Sequence, residues 1–269
     1  MNTSTLEIEK ESSLAWLKLS RPTAANSLNR EILLAIRAAC EELAKDKSIR
    51  VLSIIGAGTK VFCAGADLKE RHKLEPLEVR EYISLIQNTM LAIESFPQPV
   101  IAAINGSAFG GGVELILACD LRVMVSGATL ALTEVKLGII PGGGGTQRLP
   151  RLIGKSKAKE MIYTGAVVTA EECFRLGLIN RLVTVPAKSG AAFHGPLMEE
   201  VRNFALEIAS GAPLALEQAK VAIDSGYDQD LKVALALETE SYMRLINTKD
   251  RLEGLNAFSE KRAPQYKGE

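Results

Sequence analysis

Residues 105–118 read Asn105-Gly106-Ser107-Ala108-Phe109-Gly110-Gly111-Gly112-Val113-Glu114-Leu115-Ile116-Leu117-Ala118. The run before them, residues 100–104, is wholly apolar and short, as a buried strand should be. Three consecutive glycines then hand the chain to a short helix around residues 113–118, and residues 121–125 supply a second strand. Glycines at such a junction permit a positive φ and a close approach of backbone to a neighbour. The first N–H groups of the helix have no intrahelical partner. They can face developing negative charge. A turn that needs glycine only for packing has the same sequence. Strand, glycine turn, helix and strand in this order predict an α/β protein rather than a sandwich or a bundle.

The same pattern extends outward. Toward the N-terminus, residues 51–55 form an apolar strand closed by Gly56-Ala57-Gly58, with a loop expected through Ala66. A helix ending near Asp46 precedes it, with Ser27 or Asn29 as cap and an apolar stripe at Ile32, Ile36, Ala39 and Leu43. Strands are expected at 5–9 and 14–19, then a turn at Arg21-Pro22, and a further helix at 76–95. Toward the C-terminus, residues 129–132 read as a short strand and Gly142–Gly145 as a second glycine cluster. From Pro196 to about Phe258 helical periodicity dominates, interrupted at Gly211-Ala212-Pro213 and Ser225-Gly226. This predicts an α/β core over residues 1–195 and a helical region over 196–269, with 187–195 as the linker.

Two carboxylates stand out. Glu114 lies in an apolar run, where a charge is costly unless it is paired, hydrogen-bonded or protonated. A raised pKa is what an acid/base catalyst near neutral pH needs. A salt bridge to Arg122 or a solvent-facing position accounts for Glu114 equally well. Glu134, in Ala131-Leu132-Thr133-Glu134-Val135, is a lone carboxylate at a strand end. Its alternative is a first-turn helical glutamate favoured by the dipole, with Thr133 as cap. Beside two glycine turns, the pair suits a general acid and a general base. The segment Val61-Phe62-Cys63-Ala64-Gly65-Ala66-Asp67-Leu68-Lys69 follows a strand with small residues that let backbone approach a ligand. Its amides can complete a two-donor hole with Gly111. Asp67 also reads as a helix N-cap, and Lys69 as a solvated cation.

Several classes drop out. Gly154-Lys155-Ser156 lacks the first glycine of a phosphate loop and any preceding strand. Ser107 lacks the flanking glycines of a nucleophile elbow. Gly142–Gly145 has no dinucleotide register. Lysine plus arginine equals aspartate plus glutamate, 32 against 32, so no global field attracts nucleic acid or an anionic membrane. Cys40, Cys63, Cys119 and Cys173 form no CxxC motif and read as buried reduced thiols. His72 and His194 are the only histidines, so no metal site is expected. No apolar run approaches a membrane span. The N-terminus lacks a leader pattern and reads as cytoplasmic, although a mitochondrial protein with its leader removed would look alike.

Three segments, FCAGADLK (62–69), INGSAFGGGVELILACD (104–120) and GIIPGGGGTQRLPR (138–151), resemble the hallmark segments of the enoyl-CoA hydratase (crotonase) family. The ending, 248–254 through 267–269, looks closest to the AU-binding methylglutaconyl-CoA hydratase branch. The resemblance implies a crotonase fold, a spiral of ββα units with a helical C-terminal region that trimerises, two trimers usually stacking as a hexamer. It implies that Ala66 and Gly111 N–H groups hold a thioester oxygen and that Glu114 and Glu134 position water and exchange protons. Ala64, Ala66, Asp67, Leu68, Lys69 and Gly111 are then expected to bind the acyl-CoA substrate. No metal or redox cofactor is implied, since coenzyme A belongs to the substrate.

Two carboxylates favour hydration over isomerisation, the second reading, because family isomerases generally keep one. RNA binding, associated in the AU-binding branch with a lysine-rich first long helix, is disfavoured. On that helix Arg30, Arg37 and Lys45 are offset by Glu31, Glu41 and Glu42, which leaves no single-sign stripe. Methylglutaconyl-CoA would need a cation for its distal carboxylate, and no residue stands out in the sequence for that role.

Overall fold

The computed structural model describes residues 3–185 and 194–269. Strands β1 (Leu6–Glu11) and β2 (Leu14–Leu19) pair antiparallel. Helix α1 (Arg30–Leu43) starts at Asn29, whose side chain accepts from the Ile32 N–H at 3.1 Å, so Asn29 rather than Ser27 is the cap. Its stripe of Ile32, Ile36, Ala39 and Leu43 is buried, together with Leu33 and Cys40. The run Val51–Gly56 forms β3, buried at every residue, as a parallel strand covered on both faces must be. The stretch expected as loop through Ala66 contains a further strand, β4 (Val61–Cys63), and α2 (Leu68–Arg71) follows directly. Three residues are too few to display a period of two. Helix α3 (Pro76–Glu94), β5 (Val100–Ile104), β6 (Ser107–Phe109), α4 (Gly111–Ala118), β7 (Leu121–Val125) and β8 (Thr129–Ala131) come next.

These strands divide between two sheets. The larger has the order β1-β2-β3-β5-β7-β10, parallel from β2 onward, where β10 is Arg181–Val183. The smaller has the order β4-β6-β8-β9, with β4, β6 and β8 parallel and β9 (Val168–Thr169) antiparallel to β8. The pairs β3–β4, β5–β6 and β7–β8 each send one strand to each sheet before the next helical segment. That repeat is the ββα spiral the family resemblance implies. Between β8 and β10 lie α5 (Gly145–Ile153), α6 (Lys155–Thr164), β9 and α7 (Ala170–Arg175).

The core is continuous across both sheets. Trp16, Phe62, Tyr82 and Phe96 are its largest fully buried side chains, and all four cysteines are buried. Of the expected linker, residues 187–193 lie outside the described residues, and Gly195 falls inside α8 (His194–Ala209). That helix sets Leu197, Val201 and Ala205 into the core. Helices α9 (Pro213–Gly226), α10 (Leu231–Met243) and α11 (Lys249–Glu260) behave differently. Leu231, Val233, Leu235, Tyr242, Met243 and Leu255 are exposed, and Phe258 is 88% exposed. Residues 265–269 fold back on α11. Buried Asp250 accepts from the Lys267 and Gly268 N–H groups at 2.8 and 2.7 Å, and Arg50 Nη2 donates to the Tyr266 carbonyl at 3.1 Å.

No helix among the described residues is long and apolar enough to cross a membrane.

Candidate active site

The glycine junction behaves as its sequence requires. Gly110 takes φ +49° at the N-terminus of α4, where a Cβ would also sit 3.0 Å from Glu134 Oε1. At Gly112 a Cβ would lie 2.3 Å from the Cys63 carbonyl oxygen, so only glycine lets α4 pack this closely on β4. All eight residues of α4 are buried, Glu114 included.

The amides of Ala66 and Gly111 are neighbours: a Cβ on Gly111 would stand 3.3 Å from the Ala66 nitrogen. Neither N–H donates to a protein acceptor among the described residues. Ala66 is held by its flanks, with Leu28 N–H donating to the Gly65 carbonyl and Asp67 N–H to the Leu28 carbonyl. Tyr82 in turn donates its hydroxyl to that Leu28 carbonyl. Both amides border one cavity of about 110 Å³, shared with Glu114, Glu134, Tyr82, Ile86 and Ile140.

Glu114 makes no ion pair with Arg122, whose guanidinium donates instead to the Leu178 and Cys119 carbonyls. Its Oε1 accepts from Gly143 N–H at 2.7 Å and Gly145 N–H at 2.8 Å. That turn is fixed from outside. Arg148 donates to the Gly143 carbonyl at 3.0 Å and forms a bidentate pair with Glu94 at 2.9 and 2.7 Å. Burial raises the Glu114 pKa, while the Gly145 and Gly143 amides and the Arg148 charge pull it back.

Glu134 opens a short 3₁₀ turn after β8 and has fewer donors. Its Oε2 is buried without a hydrogen-bond partner, and Thr133 makes no side-chain cap. Burial pushes its pKa up to about 7; its own backbone amide lowers it, the nearby Glu114 raises it further, and Arg71 lowers it. Two carboxyls face one cavity in different environments, one with two fixed amides and one with an empty oxygen, an arrangement that can hold a proton on one and not the other.

Of the other expected site residues, Ala64 and Leu68 border the cavity, whereas Asp67 and Lys69 do not. Asp67 caps α2, accepting from Lys69 and Glu70 N–H groups, and pairs with Arg21 at 2.9 Å. Burial opposes its ionisation, but the Arg21 and backbone hydrogen bonds hold its pKa below the usual value. Lys69 is exposed. The structure adds lining residues that the sequence did not single out, Arg71 and Tyr82, and gives Gly143, seen in the sequence only as part of a glycine cluster, a place beside Glu114. Gly143 reaches Glu114 only through the tertiary fold, and no local pattern marks Arg71 or Tyr82 as lining a cavity.

Known proteins resemble this chain over nearly its whole length. The family model described as enoyl-CoA hydratase/isomerase matches residues 9–269. YngF of Bacillus subtilis, provisionally named an enoyl-CoA hydratase/isomerase, is 50% identical over 268 residues, covering 100% of both chains. The mitochondrial methylglutaconyl-CoA hydratase of Mus musculus is 44% identical over 261 residues, 97% of this chain and 82% of that protein. The crystal structure of an enoyl-CoA hydratase from Bacillus anthracis superposes with a TM-score of 0.92 at 46% identity, covering 98% of this chain and 100% of that one.

Proposed function

Since the chain belongs to the enoyl-CoA hydratase/isomerase family, we propose that it adds water across the double bond of a 2-enoyl-CoA thioester. The observation that carries this reading is the pair of carboxyls, Glu114 and Glu134, facing one cavity beside two undonated amides. Isomerisation needs one proton-moving carboxylate, whereas hydration needs one group for water and another for carbon.

In this reading the Ala66 and Gly111 N–H groups receive the thioester oxygen. Glu114, held through Oε1 by the Gly143 and Gly145 amides, takes a proton from water as the water oxygen bonds to carbon 3. The electron pair of the double bond moves toward the thioester carbonyl, and the negative charge collects on the oxygen between the two amides. Each such donor typically contributes about 3–4 kcal/mol to the transition state. Glu134, whose pKa of about 7 keeps it substantially protonated at neutral pH, gives its proton to carbon 2. The reaction calls on no metal or redox cofactor; coenzyme A arrives with the substrate. Leu68 and Ala64 suit the acyl-CoA entrance, where exposed Lys69 can meet its polar part; Asp67 serves by holding α2.

The exposed apolar surface of α9–α11 supports a homotrimer or a hexamer of two trimers. RNA binding has little support, because the cations of α1 alternate with Glu31, Glu41 and Glu42.

The test is a pair of variants that keep size but remove the titrating group, Glu114→Gln and Glu134→Gln. Each should lower hydration of a 2-enoyl-CoA by about 10²–10⁴-fold. Isomerisation of a 3-enoyl-CoA should survive better in Glu114→Gln than in Glu134→Gln. Losses of less than about tenfold in both variants, with folding and CoA binding intact, would exclude them as the catalytic pair.

A further inference from the structure

The turn at residues 142–145 meets Glu114 with its N–H groups and the rest of the protein with its carbonyls. Glu114 Oε1 accepts from the Gly143 and Gly145 N–H groups, and each belongs to a peptide unit whose carbonyl is that of the residue before. Both of those carbonyls have donors of their own. The Gly142 carbonyl accepts from Gln87 Nε2 at 2.8 Å, and the Gly144 carbonyl from the Gln147 and Arg148 N–H groups at 3.0 and 2.9 Å. The peptide between them gives its Gly143 carbonyl to Arg148 Nη1 at 3.0 Å, and the bidentate pair with Glu94 orients that guanidinium. Successive amides turned one way form an anion-binding concavity. A peptide that accepts at its oxygen donates more strongly at its nitrogen, because linked hydrogen bonds polarise one another.

Much of this support comes from one face of α3. Gln87 and Glu94 are seven residues apart, about two helical turns, so they point the same way. Ile83 and Ile86 press on the same turn: a Cβ on Gly142 would stand 3.6 Å from Ile83, and one on Gly143 would stand 2.8 Å from Ile86. Gln87 is exposed, and among the described residues its side chain makes only the bond to Gly142. Neither Gln87, Glu94 nor Arg148 borders the cavity. Whatever they do for the chemistry passes through the turn. A buried carboxylate is costly unless its charge is met, and a base must be ionised to take a proton. Burial raises the Glu114 pKa; the turn amides and the Arg148 charge oppose that rise.

We propose that Gln87 and Arg148, the latter set by Glu94, are positioning residues for Glu114: they back the 142–145 turn from outside, so that its amides hold Glu114 in place and ionised to accept the proton of water. The inference rests on Glu114 as the group that activates water and adds the residues that keep it ready. Other titratable groups also surround Glu114. Glu134 comes from the turn after β8, Arg148 from α5, Tyr82 and Glu94 from α3, and Arg71 from α2. On β4, Cys63 is buried and neutral, its thiol pushed up to about 12, and β6 brings no titratable side chain. Of these, Arg148 alone both carries charge and touches the turn.

The experiment measures kcat and KM for crotonyl-CoA across pH in wild type, Gln87→Leu, Arg148→Met and Glu114→Gln, each as the full chain. The acid limb of the profile reports ionisation of Glu114, and the alkaline limb reports loss of the Glu134 proton. Gln87→Leu removes one neutral donor and changes no charge. Its kcat should fall about 3- to 10-fold, the scale of one hydrogen bond, with KM nearly unchanged and the acid limb moved to higher pH. Arg148→Met removes a charge and a strut together. Its kcat should fall about 10²-fold, the scale of a small misplacement, and its acid limb should rise by about one pH unit or more. In both variants the alkaline limb should move less than the acid limb. Because Gln87 is exposed, Gln87→Leu keeps the test open even if Arg148→Met does not fold, and a denaturant midpoint checks both. A folded variant whose kcat and acid limb match wild type removes its residue from the assignment. If both match, or if the losses lie in KM or stability alone, the proposal falls while the roles of Glu114 and Glu134 stand. Wild type that fails to hydrate crotonyl-CoA, or Glu114→Gln that hydrates it as fast as wild type, would refute the role of Glu114 itself and this proposal with it.

Discussion

Glu134 carries the clearest electrostatic signature of the site. Its carboxyl has an ordinary pKa of 4.5 and is raised to about 7 in the fold. Between those values the folded protein holds a proton that the unfolded chain has released. Stability linked to this group is therefore greatest below pH 4.5 and declines as pH rises toward 7. Glu114 is shifted in the same direction, so a Glu134→Gln variant removes only one share of the decline. The melting temperature of wild type relative to Glu134→Gln should fall steadily from pH 4.5 to 7 and level off beyond. A difference that stays constant over that window would mean that Glu134 titrates as an ordinary surface carboxyl. Glu114 and Glu134 were legible in the sequence because each is a charge in an apolar run. Arg71 was not, because nothing in Lys69-Glu70-Arg71 separates a cavity cation from a solvated one until α2 is placed against the cavity.

At the scale of elements, legibility followed length and contrast. Strands Val100–Ile104 and Leu121–Val125 could be bounded to the residue, since each is a short run, apolar but for Arg122, between segments of different character. The three-residue strands β4 and β6 are too short to show alternation and were not read, whereas β8 was, as residues 129–132; the three build the sheet beneath the glycine turns. Helices α5 to α7 were missed because their windows are polar and broken: α5 begins at Gly145 and contains Pro150. The Gly142–Gly145 cluster was visible, but its purpose was not. Gly143 and Gly145 meet Glu114 across about thirty residues of chain, a distance only the assembled fold can close. The contact between α4 and β4 gives the test at this scale. Gly112→Ala would press a methyl group against the Cys63 carbonyl at 2.3 Å, which the backbone cannot yield without moving. We expect a loss of about 1–3 kcal/mol, or more if α4 shifts as a unit, read as a lower midpoint in denaturant. An unchanged midpoint would mean that the α4–β4 seam is looser than a 2.3 Å approach to the Cys63 carbonyl allows.

On the scale of the whole molecule, the apolar surface of α9–α11 points to partners. A trimer or hexamer should appear in light scattering at micromolar concentration, and a stable monomer there would refute it. Association also ties stability to mass action: on dilution the melting temperature should drop, as it would not for a chain that stands alone. The parallel order of the larger sheet has a further consequence, one of time. From β2 to β10 no neighbouring pair can close through a tight hairpin; each waits for a long crossover to be laid down. Contacts that are far apart in sequence form late. Ala66, Gly111, Glu114, Glu134 and Gly143 come from successive turns of the spiral, so no fragment of one turn holds the whole proposed centre. During refolding from denaturant the helices should return first, and turnover only when the last turn docks. For this protein, regained catalysis is the clock that marks the end of folding.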